Sequence, residues 1–169
     1  MMKHTLFGGF TMQFIYMALL AGGITLFDQL VKHWVIAAIP LGSVVDVIPG
    51  VIHLTHVRNT GAAFSAFEGM QWLFALIFLL LTAGIVFEYF FMRQPFTTLE
   101  RWLIASLYGG GLGNMIDRFR WGYVVDMLET EFISFPVFNV ADCFITCSCF
   151  LLLAHMIFFN KAFWKDEKK

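Results

Sequence analysis

The sequence predicts an α-helical membrane protein with four transmembrane helices and a small extramembrane β-sheet. Of its 169 residues, 59% are hydrophobic and only 14% are charged, and the mean hydropathy is +0.75. Soluble domains of this size carry less apolar surface. A helix needs roughly 20 apolar residues to span the hydrocarbon core. Four runs approach that length, at about residues 10–30, 71–92, 99–117 and 140–159. We therefore expect one integral membrane domain over residues 1–169, without a basic tract for nucleic acid.

The first apolar run follows Lys3 and so has the outline of a cleavable signal peptide. The stretch Leu20-Ala21-Gly22-Gly23 resembles a lipoprotein cleavage box, but Gly23 stands where that box requires the lipid-accepting cysteine. We therefore interpret the run as a retained helix. Near its outer end, Asp28 and Lys32 are spaced i, i+4, which is typical of a structural ion pair.

Two longer segments, at about residues 40–70 and 118–138, separate the apolar runs and differ from them in composition. Residues 44–48 and 51–57 are rich in β-branched side chains and are separated by Pro49-Gly50, which predicts two short strands joined by a turn. Residues 132–138 are aromatic and indicate a short interfacial helix or loop at the headgroup level.

The distribution of positive charge predicts that both termini are cytoplasmic and that the two longer segments lie outside. Lysine and arginine are enriched on the cytoplasmic side of short loops. With four crossings, the predicted cytoplasmic side carries Lys3, Arg93, Arg101, Lys161, Lys165, Lys168 and Lys169. The opposite side carries Lys32, Arg58, Arg118 and Arg120.

Asp126 and Asp142 are the main candidates for chemistry, because each lies where a polar segment meets an apolar run. A charged carboxylate near hydrocarbon is costly unless it is hydrated, is paired with another polar group or has a function. Each also has a simpler explanation: Asn139 and Asp142 have the spacing of a helix N-cap, and Asp126 can be a solvated loop acid. Two carboxylates held close together share a proton. One can then take a proton from water while the other donates to a scissile carbonyl, as in aspartic proteases.

The end of the third apolar run combines glycines with polar residues. Small residues allow helices to approach closely in membranes, which explains the glycines at 109–113. Asn114 and Arg118 are spaced i, i+4 and share one helix face, from which they can bind substrate backbone or support the carboxylates. Asp117 beside Arg118 can be a local ion pair.

Other polar residues give weaker signals. Asn59-Thr60-Gly61 is an ordinary turn sequence when taken alone. His53 and His56 lie three apart on a predicted strand and so face opposite sides, and we expect neither a metal site nor a cofactor. The three cysteines of the last apolar run are expected to be small packing residues: Cys143, Cys147 and Cys149.

Five polar blocks, taken together and in order over nearly the whole chain, resemble the lipoprotein signal peptidase family, also called signal peptidase II. The blocks are Asp28-Gln29 with Lys32, Asn59-Thr60-Gly61-Ala62-Ala63-Phe64-Ser65, Gly113-Asn114 through Asp117-Arg118, Val124-Val125-Asp126, and Phe138-Asn139-Val140-Ala141-Asp142.

This resemblance implies an aspartic endopeptidase of the bacterial cytoplasmic (inner) membrane, with its active site near the outer face. Such an enzyme removes signal peptides from diacylglyceryl-modified prolipoproteins by cutting on the amino side of the lipidated cysteine. The resemblance also implies an extramembrane sheet that cradles the substrate, a flexible helical segment that closes over the site, and inhibition by cyclic peptide antibiotics such as globomycin. Membrane lipid holds the acyl chains, and we expect a monomer.

Carried over through these blocks, the resemblance implies that Asp126 and Asp142 are the catalytic pair. It also implies a surrounding polar shell of Asn59, Asn114, Arg118 and Asn139, with Asp28 and Lys32 in a supporting role. The chain departs from the usual family pattern at Met127, where an aromatic residue is common, and at Cys143, where serine or alanine is common.

Two other classes of protein compete with this interpretation. A small transporter or channel subunit could use Asp126 and Asp142 to bind a cation or relay protons. That class explains acids in the membrane, but it explains poorly why both acids lie at one face beside two extramembrane segments. A purely structural protein explains the glycines and leaves the acids without a purpose.

Overall fold

The computed structural model describes residues 3–62, 66–88 and 96–160. In this part of the chain, four helices surround a polar site and a three-stranded sheet lies at one end of the helices, here called the sheet end. The elements are α1 (Lys3–Ala38), β1 (Val44–Ile48), β2 (Ile52–Asn59), α2 (Gln71–Phe87), α3 (Thr98–Trp121), β3 (Val124–Thr130) and α4 (Val140–Phe158).

All four predicted helices are present, but they differ in how well they suit a membrane. The segments Met12–Ala38 and Val140–Phe158 are long and apolar enough to cross a bilayer. Helix α2 is apolar but has only 17 residues. Helices α1 and α3 both extend beyond the predicted apolar runs, since α1 continues to Ala38 and α3 to Trp121. The added residues include Lys32 of α1 and Arg118 of α3.

Helix α3 is the centre of the bundle and packs against both α1 and α4. Two glycines allow this close approach: a Cβ atom on Gly109 would lie 2.6 Å from the Ala21 carbonyl oxygen of α1. A Cβ atom on Gly110 would lie 2.7 Å from the Ala141 carbonyl oxygen of α4. The predicted role of the glycines in helix packing is confirmed.

The sheet is antiparallel with the order β1-β2-β3. The predicted hairpin of β1 and β2 is confirmed, and Gly50 adopts a positive φ of 76° in its turn. The third strand was not predicted. Residues 124–130 belong to the sheet because Val125 and Met127 are fully buried against Val35 on α1, while the intervening Asp126 faces the other side. Met127 is therefore a core residue.

The segments that border the site are irregular. Residues 60–62 and 66–69 form bends and turns, whereas residues 63–65 of the predicted polar block at 59–65 lie outside the described residues. Residues 134–137 have no regular secondary structure, and Phe138 then pairs with Leu128 of β3, which brings the start of α4 beside the sheet.

Candidate active site

Asn139 connects the two predicted carboxylates. It is the N-cap of α4, and its side-chain Oδ1 accepts a hydrogen bond of 2.9 Å from the backbone N of Asp142. The backbone N of Asn139 donates in return to Asp142 Oδ2 at 3.1 Å, which completes a capping box. The remaining group of the side chain, Nδ2, donates to Asp126 Oδ1 at 2.7 Å. The predicted cap is confirmed, and the same residue also contacts Asp126.

Both oxygens of Asp126 accept hydrogen bonds from amide side chains. Besides Asn139, Asn59 donates from Nδ2 to Asp126 Oδ2 at 2.8 Å. Asp126 pairs with Val57 across the sheet, so Asn59, two residues further along β2, lies diagonally opposite on the same face. The sheet therefore presents Asp126 together with the donor that orients it.

Asn114 performs the equivalent task for Asp142. Its Nδ2 donates to Asp142 Oδ1 at 2.7 Å. Its Oδ1 accepts from Asn139 Nδ2 at 3.1 Å and from Lys32 Nζ at 2.9 Å. Because Lys32 can only donate, it fixes which end of the Asn114 amide faces Asp142.

The predicted pair of Asp28 and Lys32 exists, and a third residue joins it. Lys32 Nζ lies 2.8 Å from Asp28 Oδ2 and 3.0 Å from Asp117 Oδ2, and all three side chains are fully buried from solvent. Gln29 Nε2 donates to Asp117 Oδ1 at 2.8 Å. The suggested local pair of Asp117 with Arg118 is therefore replaced by a pair with Lys32 across the helix interface, since Asp117 faces α1. We call Asp28, Lys32 and Asp117 the Lys32 triad.

Arg118 leaves the helix in a different direction. Its NH2 nitrogen donates to the Gly61 carbonyl oxygen at 3.0 Å, and its guanidinium lies 4.2 Å from the ring centroid of Phe74. The Nε nitrogen is buried and has no hydrogen-bond partner among the described residues. Arg118 therefore holds the turn after β2.

Two cavities meet at this cluster. The larger has a volume of about 680 Å³, and both Asp126 and Asp142 line it. Away from the acids, its wall is apolar and comes from α2, α3 and α4 through Phe74, Ile77, Phe78, Leu81, Leu107 and Ile145. The smaller cavity, of about 370 Å³, lies beside the sheet, and its wall includes Asp126, Arg58 and Glu68. Asp126 therefore lies between an apolar cavity and a more polar one.

The environment of Asp126 favours its protonated form. Burial, and then the nearby charge of Asp142, raises the pKa of Asp126 from 3.8 to about 6. The hydrogen bonds from Asn59 and Asn139, and the charge of Lys32, act in the opposite direction without cancelling the rise. The two carboxyl groups therefore interact electrostatically, as a pair that shares a proton requires.

The histidines and cysteines considered in the sequence lie apart from the acid pair or beside it without polar contact to it. His53 faces Asp46 and Glu131, with N to O distances of 3.4 Å and 3.0 Å. His56 Nδ1 lies 2.9 Å from the Ile39 carbonyl oxygen. Cys143 and Cys147 line the larger cavity one helical turn apart as free thiols.

The structure brings the sequence-predicted side chains into one connected cluster. Asp126, Asp142, Asn59, Asn114 and Asn139 form its hydrogen-bonded centre. Asp28 and Lys32 adjoin it through Asn114, and Arg118 borders the larger cavity. Asp117 and Gln29 were not predicted as site residues. The spacing of Gly113 and Asp117 at i, i+4 puts both on the face of α3 that meets α1, which is the signal that could have identified Asp117.

Comparison with known proteins gives a consistent result. The family model for signal peptidase (SPase) II matches residues 17–158. Over 143 residues, the chain is 41% identical to the lipoprotein signal peptidase of Streptococcus thermophilus strain CNRZ 1066, covering 83% of this chain and 86% of that protein. It is 38% identical over 141 residues to the lipoprotein signal peptidase of Streptococcus pyogenes serotype M1, covering 83% and 87%.

Two solved structures, both described as bacterial membrane enzymes determined by the in meso method, have the same fold. The one at 2.3 Å superposes with a TM-score of 0.79 at 29% identity and covers 91% of this chain and 93% of its own. The one at 1.9 Å gives a TM-score of 0.75 at 29% identity and covers 85% and 94%.

Proposed function

This chain belongs to the signal peptidase II family, and we propose that Asp126 and Asp142 are the acid and base with which it hydrolyses its substrate. It is a bacterial membrane protease that removes the signal peptide from prolipoproteins. The observation that carries the assignment of the pair is Asn139, which contacts both carboxyl groups at the edge of a cavity. The matching family and the relatives named above do not favour the competing transporter or channel interpretation.

The reaction needs one proton shared by the pair. The ionised carboxylate removes a proton from water, whose oxygen attacks the scissile carbonyl carbon, while the protonated partner donates to the carbonyl oxygen. The resulting gem-diol collapses as the carbon–nitrogen bond breaks: the leaving amine takes the proton that the base removed from water, and the other carboxylate recovers a proton from a gem-diol hydroxyl. The products are the carboxylate of the signal peptide and the free amine of the lipidated cysteine.

Asp126 is the better candidate for the proton donor. Its raised pKa of about 6 means that it holds a proton more readily than an ordinary aspartate. Asp142 lies in the first turn of α4, where the helix dipole favours a negative charge, whereas Asp126 lies on a strand. We therefore assign the role of base to Asp142 in the resting pair.

The two cavities suggest how a lipidated peptide lies across the pair. The apolar wall formed by Phe74 and Phe78 suits the diacylglyceryl chains, which stay in contact with membrane lipid. The polar cavity beside β2, whose wall includes Arg58, Thr60 and Glu68, suits the peptide backbone. Binding of the remote acyl chains then positions the scissile bond.

The topology completes the proposal. All four helices cross the inner membrane, both termini are cytoplasmic, and the sheet and the acid pair lie near the outer face. The positive charges in the sequence and the position of the sheet at one end of the helices support this orientation. We also propose that the enzyme is a monomer. Globomycin and related cyclic peptides inhibit it by occupying the cavity beside the pair.

The experiment uses the purified full-length protein and two precursors with the same sequence, one carrying diacylglyceryl on its cysteine and one unmodified. We expect cleavage of the lipidated precursor on the amino side of the cysteine, identified by mass spectrometry, and inhibition by globomycin. Equal cleavage of both precursors would contradict the proposed role of the lipid. No cleavage of either by a folded protein would contradict the function itself.

A further inference from the structure

The two carboxylates of the Lys32 triad hold equivalent points of the backbone. Asp28 Oδ1 accepts a hydrogen bond of 2.9 Å from the backbone N of Ala141, the residue before Asp142. Asp117 Oδ2 accepts one of 3.1 Å from the backbone N of Val125, the residue before Asp126. Each residue of the acid pair is thus preceded by an amide bound to one carboxylate of the triad.

Lys32 joins these two anchors. Its Nζ contacts Asp28 Oδ2 at 2.8 Å and Asp117 Oδ2 at 3.0 Å, and it donates to Asn114 Oδ1 at 2.9 Å. Its ammonium group has three donors, and these three acceptors use all of them. The third contact continues through Asn114 Nδ2 to Asp142 Oδ1 at 2.7 Å. Lys32 is therefore linked to Asp142 through Asp28 and through Asn114. It is linked to Asp126 through Asp117.

Ion pairing alone does not explain why Asp28 and Asp117 also accept hydrogen bonds from backbone amides. Two carboxylates and one lysine carry a net negative charge when all are ionised, and each charged group removed from water is costly unless it is well paired. The backbone amides supply the additional partners. Ala141 N is in the first turn of α4, where backbone amides have no partner within the helix, so Asp28 satisfies a donor that would otherwise be unpaired.

We propose that the Lys32 triad is a positioning unit that sets the separation of Asp126 and Asp142 by holding the backbone immediately before each of them. This inference rests on the proposed function and adds Asp117 to the residues that the reaction needs. In the part of the chain that the structure describes, the strand that carries Asp126 and the helix that carries Asp142 are also linked by the Asn139 side chain and by the Phe138 bridge. The triad fixes both to α1.

Substitution by asparagine tests each anchor with little change in shape. Asp28 uses one oxygen for Ala141 N and the other for Lys32, so an asparagine, with one acceptor oxygen, must lose one link. Asp117 uses a single oxygen for both Lys32 and Val125 N, so Asp117→Asn can retain both links and loses only the hydrogen bond that Gln29 Nε2 donates to the other oxygen. We therefore expect Asp28→Asn to have the larger effect.

The experiment measures kcat and KM for the lipidated precursor with the full-length protein, at a temperature where each variant is folded by circular dichroism. We expect Asp28→Asn to lower kcat by about 10- to 100-fold, since small displacements of reacting groups cost rates of that order. We expect a smaller decrease for Asp117→Asn and a KM within about twofold for both, because neither residue lines the described cavities.

The matched control is Glu100→Gln, which alters another fully buried carboxylate at the far end of the bundle, close to His155 and Asn160. It should lower thermal stability and leave kcat unchanged. Wild-type kcat in folded Asp28→Asn and Asp117→Asn, or a rise in KM alone, would overturn the positioning role. Asp126→Asn separates the two proposals, because full activity in that variant would contradict the acid pair itself.

Discussion

Two helices of this protein begin with the same hydrogen-bonding device, and only one of them is part of the site. At the far end of the bundle, Thr97 caps α3: Thr97 Oγ1 accepts from Glu100 N at 3.2 Å, and Thr97 N donates to Glu100 Oε2 at 2.7 Å. At the sheet end, Asn139 and Asp142 form the equivalent pair at the start of α4. A capping box therefore does not itself mark a functional site.

Glu100 and Asp142, the acids of the two capping boxes, differ in their surroundings. Glu100 is fully buried, and Asn160 and His155 lie within hydrogen-bond distance of its carboxylate oxygens. Asp142 is half-buried and lines the larger cavity. In addition, the N-cap of α4 is an asparagine, whose amide retains a donor for a second carboxylate after its oxygen has capped the helix. A threonine cap has no such group.

Among changes that keep both acids, the largest effect should come from separating the two tasks of Asn139. Asn139→Ser keeps a good N-cap but removes the buried donor to Asp126 and Asn114, so we expect a loss of stability of about 1 to 3 kcal/mol and a fall in kcat of about 100-fold. The control is Thr97→Ala, which removes a cap worth about 1 kcal/mol at the far end and should leave kcat unchanged. A folded, fully active Asn139→Ser variant would show that capping is the residue's whole role.

The free energy of unfolding should depend on pH through the ionisation of Asp126. Asp126 has a pKa of about 6 in the folded protein against 3.8 normally, so its ionisation penalises the folded state increasingly as pH rises between these values. The full penalty, on the order of 2 to 3 kcal/mol, applies above pH 6. Asp126→Asn should therefore gain stability relative to the wild type between pH 4 and pH 8, measured by thermal unfolding in detergent. A difference that does not change with pH would contradict the raised pKa.

A smaller effect should follow from crowding the Lys32 triad. A Cβ atom on Gly113 would lie 2.6 Å from Asp28 Oδ2, so Gly113→Ala must displace that carboxylate. We expect a loss of about 1 to 3 kcal/mol in stability and a reduced kcat. Gly84→Ala on α2 is the control, because its Cβ meets nothing within 4 Å and alanine favours the helix. Equal behaviour of the two variants would argue against a tightly fitted triad.

The smallest effect is expected at Cys143, which follows Asp142 and lines the larger cavity. Its thiol makes no contact that the proposed reaction uses. Cys143→Ser should keep kcat/KM within about threefold of the wild type, as substitutions outside key contacts usually do. A loss comparable to that of Asn139→Ser would mean that the thiol takes part in the reaction.

Much of this organisation could be predicted from residue types and spacing. The four helices, the β1–β2 hairpin and the cap at Asn139 follow from apolar runs, β-branched residues around Pro49-Gly50 and the spacing of Asn139 and Asp142. These features depend on interactions between residues close in the sequence. The tendency of Asn114 and Arg118 to share a helix face belongs to the same class.

The features that could not be predicted depend on distant residues. Strand β3 was missed because its pairing with β2 joins Val124 to Asn59 across more than one helix. Asp117 was interpreted through its neighbour Arg118, whereas its partners lie on α1 and β3. Sequence alone could not show that the Lys32 triad holds the residue before each aspartate, because that requires the packing of α1 against α3.

We propose that Asp126 and Asp142 together hydrolyse the lipidated precursor. The most direct test of this proposal is the single-turnover rate of cleavage by wild type, Asp126→Asn, Asp142→Asn and the double variant, each confirmed as folded. Because acid and base act in one step, either single change should reduce the rate about as much as both, by about 1000-fold or more. A folded single variant that retains substantial activity would contradict the claim.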